Sequence, residues 1–408
     1  MRKFNFDIDD WTGGNTLSND MGNAVASTVG KMLFSVVTKP TNKFSFYNNN
    51  VVPIKVCWGD TGEYYPIKEG EVSYNYPDNN MEERTITFST NTNLDNIITY
   101  DLYGTQSFIN IETDIESYTI YGTNSKGALG RYLESNVNTI GELVFANDNI
   151  VSINPLSFQL LKFESDVIIP DSVNNIGSYA FSNATINGDL IIPDTTTNIE
   201  ENAFDSAKIH GDFELPSSNT IKKNSFRYIS LDYDLIIPDT VETIEEFGFF
   251  QLELEGIIMF GSGLKRIEAN AFANPVYINN SLDFNDGLEY IGARAFYNCY
   301  HLQYPIKFPS SLVEIGPAAF YGCLSVGNFI FNEGLKTIHN NAFSDCKALR
   351  NDMVLPESLE YIGEDAFNCN VSYKHIVIYV CEDTIMETQK PNKFITFITY
   401  KRGEKPIL

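Results

Sequence analysis

Basic residues are scarce in this chain of 408 residues: 28 Lys and Arg stand against 53 Asp and Glu, a formal net charge of −25. A surface of that sign repels nucleic-acid phosphates and anionic lipid, so nucleic-acid partners are not expected. Long apolar runs are missing too. Stretches such as Ile376-Val377-Ile378-Tyr379-Val380 fall far short of the ~20 residues that cross a bilayer, so membrane insertion is not expected. The opening MRKFNFDIDDWTGG lacks an apolar signal core, since Asp7, Asp9 and Asp10 stand where one belongs. Export by a standard signal peptide is therefore not expected. Histidine numbers four (His210, His301, His339 and His375), and no HExxH, GxSxG, Walker A or GxGxxG motif sits in the context its chemistry requires. No enzyme is expected and no catalytic residue is assigned. A surface-glycan hydrolase is the remote alternative, and it would need two carboxylates converging ~5–10 Å apart.

Apolar and aromatic material, in contrast, is ample. Hydrophobic residues make up 43% and aromatics 13%, enough to bury a core and to exclude wholesale disorder. The length exceeds one compact core and suits two or three units or an elongated repeat array. A repeat is plain from residue 150 to 370. SDVIIPDSVNNIGSYAF ends at Phe181, GDLIIPDTTTNIEENAF at Phe204, YDLIIPDTVETIEEFGF at Phe249 and PIKFPSSLVEIGPAAF at Phe320. Successive phenylalanines recur at Phe158, Phe181, Phe204, Phe226, Phe249, Phe272, Phe296, Phe320, Phe343 and Phe367, in steps of 22 to 24. No such unit closes its own core, so neighbours must stack.

Each unit reads physically. A short β-branched stretch such as Leu190-Ile191-Ile192 suits a strand, Pro193 stops it, and Asp194 favours a turn. Ile199 and Ala203-Phe204 are spaced to point inward on the return leg, so the phenylalanines predict an aromatic spine. Cys299, Cys323, Cys346 and Cys369 follow the same period, which predicts a ladder of buried thiols; CxxC pairs that would seat a zinc are missing.

Period-2 alternation turns Val167 and Ile169 inward and Asp166 and Ile168 outward. The equivalent outward residues are Asp189 and Ile191, Asp212 and Glu214, Asp234 and Ile236, and Gly256 and Ile258, giving an acidic and a largely apolar column on one face. Stacked like charges repel unless solvated or bridged. The acidic column therefore reads either as a docking strip, with calcium as the candidate cation, or as hydrated turn residues. The apolar column reads as a contact surface or as the by-product of strand propensity.

The units resemble the BspA-like leucine-rich repeat, with its pattern LxxIxIPxxxxxIGxxAFxxC. IIPDSVNNIGSYAF (168–181), LEYIGARAFYNC (288–299) and LVEIGPAAFYGC (312–323) carry nearly every signature residue. Departures are Phe260, Asn285 and Asn332 in place of the strand-ending proline, and Phe247-Gly248 before Phe249. The resemblance implies a solenoid with a sheet on one face and irregular or short-helical segments on the other. Ahead of it, Ile54-Lys55-Val56-Cys57-Trp58-Gly59-Asp60, then Val72-Ser73-Tyr74-Asn75-Tyr76 and RTITF, resemble a polycystic-kidney-disease (PKD) type β-sandwich, with the second glycine displaced to Gly62 and no histidine.

The expected fold is mainly β. Residues 1–32 form an N-terminal arm, 33–115 the sandwich, 116–149 a connector and solenoid N-cap, 150–370 the leucine-rich repeats and 371–408 a β C-terminal cap. This order of modules is similar to phage tail and virion surface proteins, and bacterial surface adhesins share the modules. The expected role is a virion structural and adhesion protein present in multiple copies. Its N-terminal region would dock to other virion structural proteins, and its repeats would bind a host surface glycan or protein. A bacterial cell-surface adhesin is the alternative.

Overall fold

The computed structural model describes ten strands between residues 31 and 134, and residues 139–145, 150–278, 282–369, 375–389 and 394–407. The chain divides into two compact units, 1–198 and 199–408. Every element of the described residues is a strand, a turn or a bend; none is a helix.

In the first unit, Lys31–Thr38 pairs antiparallel with both Thr85–Thr90 and Ile115–Ile120, and Ile54–Cys57 pairs with Thr85–Thr90 and Tyr64–Ile67. Lys43–Asn48 pairs antiparallel with Gly70–Asn75 and Ile109–Ile111. The strands read from IKVC, VSYN and TITF are therefore present, whereas the turn at Trp58–Gly62 and residues 1–30 lie outside the described residues. Pairing turns parallel where Ile115–Ile120 meets Ile140–Phe145, and Ile140 in turn sits beside Phe163.

From there the chain winds in turns of three short strands, and beyond Glu253–Leu254 in turns of two. Val167–Ile168, Asn175–Ile176 and Thr185–Ile186 are one set of three. Pro170 closes the first strand, and Val173 N–H donates to its carbonyl at 2.9 Å. The irregular leg implied by the resemblance is present around each phenylalanine, with no helix among the described residues, and the third strand follows it. In the second unit it recurs as Lys208–Ile209, Ser230–Leu231 and Glu253–Leu254.

The leg around each phenylalanine is irregular by label but strictly patterned. Residues two before and two after it have positive φ: Phe247 (59°) and Gln251 (53°) flank Phe249, and Arg294 (56°) and Asn298 (58°) flank Phe296. Alternating the backbone in this way aims alternate N–H groups along the stack. Phe247, Phe249 and Gln251 donate to Ala269, Ala271 and Ala273 of the next turn at 3.1, 2.8 and 2.9 Å. Gly248, Phe250 and Leu252 donate within their own turn. The left-handed region costs roughly 1–2 kcal/mol per ordinary L-residue, which is why Asn, Asp and Gly recur there: Asn202, Asn270, Asn341 and Asp365 before the ring, Asn274, Gly322 and Asp345 after it.

The rings stack as the sequence predicts. In the second unit the centroids from Phe204 through Phe226, Phe249, Phe272, Phe296, Phe320 and Phe343 to Phe367 lie 5.1–5.6 Å apart. In the first, Phe158 and Phe181 are 5.0 Å apart. Each such pair adds about 0.5–1.5 kcal/mol beyond its buried area. All six cysteines are buried. Cys323 and Cys346 donate S–H to Phe296 and Phe320 carbonyls at 3.3 Å, and Cys369 to Phe343 at 2.8 Å. Burial pushes the Cys299 and Cys346 thiols well above their ordinary range, so these are packing groups and not nucleophiles.

The last turns are closed by Ile376–Cys381 and Ile395–Tyr400, six residues paired in parallel. Tyr400 pins them by donating its hydroxyl to the Leu355 carbonyl at 2.9 Å. Burial, with Cys381, Glu357 and Glu333 nearby, pushes its pKa from 10.0 up to about 12. Because the folded value is the higher, this contribution is intact below pH 10 and lost as pH rises toward 12. Tyr400→Phe is expected to cost about 1 kcal/mol at neutral pH. It should also flatten that alkaline loss, read from urea midpoints across the alkaline range.

Candidate functional site

A two-residue strand makes few ladder bonds, and the acidic column supplies an extra one. Val167 N–H donates to Asp189 O at 2.8 Å, and Asp189 N–H returns a bond to Asp166 Oδ1 at 2.9 Å. The arrangement repeats in the second unit. Leu235 N–H donates to Ile257 O at 2.8 Å, and Ile257 N–H to Asp234 Oδ1 at 2.9 Å; Val377 N–H does the same to Asp352 Oδ1. One oxygen of each of these carboxylates is thus held by an amide of the following turn, which offsets part of the repulsion between stacked charges. At Asp189 and Ile257 the preceding residue is glycine, and a Cβ on Gly188 or Gly256 would run into the Asp166 or Asp234 carboxylate and the backbone beside it.

Asp239 plays the same part after the strand-ending proline, accepting from Ser262 N–H at 2.6 Å and Ser262 Oγ–H at 3.0 Å. The Ser262 amide holds its carboxyl below the usual range. Its contribution is present at neutral pH and is lost as pH falls through that lowered value.

Ile168 (55% exposed) and Ile191 (48%) lie side by side on paired strands of the first unit, with Asp166 exposed and Asp189 half-buried beside them. In the second unit Asp212, Glu214 and Asp234 are exposed, as is Ile236 (45%). Ile258 is not on this face. It is 5% exposed and pairs with buried Leu235, while Met259, in register with Ile236, takes the outward place.

The cause is a one-residue slip. The strand-ending position lies eleven residues before Phe181, Phe204 and Phe249, at Pro170, Pro193 and Pro238, and therefore before Phe272 at Gly261, not Phe260. Phe260 is buried in the strand, and Ile257, not Gly256, continues the position of Asp234. Because side chains alternate, a slip of one moves a whole strand to the wrong face. Further along, the outward position holds Asp283, Lys307 and Ile330 (44%), so the apolar column of the second unit is interrupted by charge.

Three histidines pair with other parts of the chain: His210 with Asp232 at 2.9 Å, His339 with Glu314 at 3.0 Å, and His375 with Thr396 at 3.0 Å. His301 lies near the Tyr277 ring, 6.1 Å between centroids. Among the described residues no three His, Cys, Asp or Glu side chains gather where they could hold a metal ion.

Gly256→Ala is expected to destabilise the fold by roughly 1–3 kcal/mol, since backbone and carboxylate already occupy the space. Gly327→Ala, which meets nothing within 4 Å, should change stability by less than about 0.5 kcal/mol. Denaturant midpoints of the two variants check the pair; equal effects would contradict the close-approach account.

Comparison with known proteins agrees with this architecture. The BspA-type leucine-rich repeat region matches in six copies, over residues 151–279 and 265–387. No curated protein matches the chain. Among solved structures, a leucine-rich repeat protein from Bacteroides ovatus aligns with a TM-score of 0.45 and 18% identity, over 74% of this chain and 89% of its own. One from Eubacterium ventriosum gives 0.32 and 19%, over 63% and 91%. A leucine-rich cell surface protein from Faecalibacterium prausnitzii gives 0.29 and 20%, over 68% and 92%. The chain belongs to the BspA-type leucine-rich repeat family.

Proposed function

We propose that this protein is a non-enzymatic binding solenoid displayed on a bacterial cell surface, where its outward strand column contacts a host glycan or protein. The observation that carries the reading is the exposure, in register, of Ile168 with Ile191 and of Ile236 with Met259. Large apolar side chains set side by side in water, rimmed by Asp166 and Asp234, mark a contact surface more often than an accident of strand propensity. Rigid ladders hold them, so little ordering entropy is spent on binding. The family match supports the adhesin setting. The N-terminal strands, paired in two sheets, are read as the PKD-like sandwich that carries the repeats.

A virion setting, with residues 33–115 docking to other structural proteins, is the second reading. The buried thiols of Cys299, Cys323, Cys346 and Cys381 favour it, since they suit assembly in a reducing cytoplasm. Immunogold labelling of cells and purified particles distinguishes the two.

The contact face is tested with the full chain on a glycan array and on immobilised extracellular-matrix proteins. Ile191→Lys with Ile236→Lys is expected to weaken captured binding at least tenfold (about 1.4 kcal/mol or more) with an unchanged melting temperature. Binding that survives both changes would place the contact elsewhere.

A further inference from the structure

The C-terminal end of the second unit leaves two sheets open. Ile385–Met386 is the outermost strand of the eight-stranded sheet, and Ile395–Tyr400 the outermost of the three-stranded one. Ile385 is 68% exposed, Met386 39% and Ile398 43%. A solenoid end usually carries a polar outer face, and edge strands are usually guarded by charge or proline. This edge, Ile-Thr-Phe-Ile-Thr-Tyr, contains neither.

Its backbone is half used. Ile376 N–H donates to Phe394 O and Glu382 N–H to Tyr400 O, each at 2.8 Å. The even-numbered residues therefore face the Ile376–Cys381 strand, and Ile395, Phe397 and Thr399 direct their N–H and C=O outward. Three outward residues centred on Phe397 are self-complementary about a two-fold axis: run antiparallel, Phe397 meets Phe397 of a second copy, and Ile395 meets Thr399. Each such pair exchanges two hydrogen bonds, and same-face packing of the two copies is preserved.

Charge selects the same occupant. A chain carrying −25 repels its own copies, yet from Glu382 onward it holds five basic residues (Lys390, Lys393, Lys401, Arg402, Lys405) against four acidic ones (Glu382, Asp383, Glu387, Glu404). Arg402 is paired with Asp383 and Lys405 with Glu333, so this end is close to neutral where the rest is acidic. We propose that the Ile395–Tyr400 edge is a self-association site, through which two copies of this chain pair antiparallel about Phe397 into one continuous sheet. The contact is made by the backbone at the end of the outward face, where Ile398 stands in register with Tyr379 and Val354, and two columns on one dimer would bind a repetitive surface with avidity.

Light scattering on the full chain, from low to high micromolar concentration, tests this. The expected mass is twice the 46.0 kDa of one chain. Thr399→Pro removes an outward N–H without touching the inner ladder, and Ile398→Lys charges the exposed rim; each is expected to return the protein to monomer with unchanged far-ultraviolet circular dichroism. Should Thr399→Pro misfold, Ile398→Lys alone reads the same interface. A wild-type monomer throughout the range, including one whose edge is taken by some other protein in a pull-down, would overturn the proposal. So would a dimer that folded variants leave intact.

Discussion

Hydrogen bonding from one turn to the next is the constraint on which the rest of this structure depends. A turn of 22 to 24 residues has no core of its own, and an amide left unpaired within the stack would cost about 1–3 kcal/mol. The short strands meet that demand only in part. The remainder comes from the leg around the phenylalanine, where positive φ on either side of the ring turns alternate amides along the stack. With the backbone so fixed, each ring has one place to go, over its neighbour.

The outward column follows from the same constraint. A strand of two or three residues exposes one side chain per turn at a given height, so whatever occupies that place is repeated down the face. Isoleucine or methionine there builds an apolar column, and Glu214, Asp283 and Lys307 break it into segments. The aspartates beside it first serve the fold, because their carboxylates pair with amides of the following turn. The outward apolar place is exposed and can change at little cost to stability.

Much of this was legible in the sequence because the period is written in large residues. Phe, Ala-Phe, the strand-ending proline and the cysteines each mark a position whose neighbours are copies of itself, so burial follows from spacing alone. Register was legible where proline survived and where Asn285 and Asn332 stand in its place, and it was lost at one turn. The turn ending at Phe272 has Gly261 in place of the proline, and reading Phe260 as the substitute moved Ile258 outward; counting eleven back from Phe272 gives the correct face. The third strand column was missed because Thr185–Ile186 and its equivalents are two residues long and follow no proline. The role of the aspartates was hidden for another reason: their partner is a backbone amide, which leaves no mark in sequence except the glycine beside it, Gly188 or Gly256.

Hydrogen exchange of backbone amides is the most direct measurement of the central claim. The inter-turn amides of Phe226, Phe249, Phe272, Phe296 and Phe320 should be the most slowly exchanging, and those of Gly248, Phe250 and Leu252, bonded within their own turn, should exchange faster. Equal protection of the two sets, or faster exchange at the phenylalanines, would contradict an architecture held together from turn to turn.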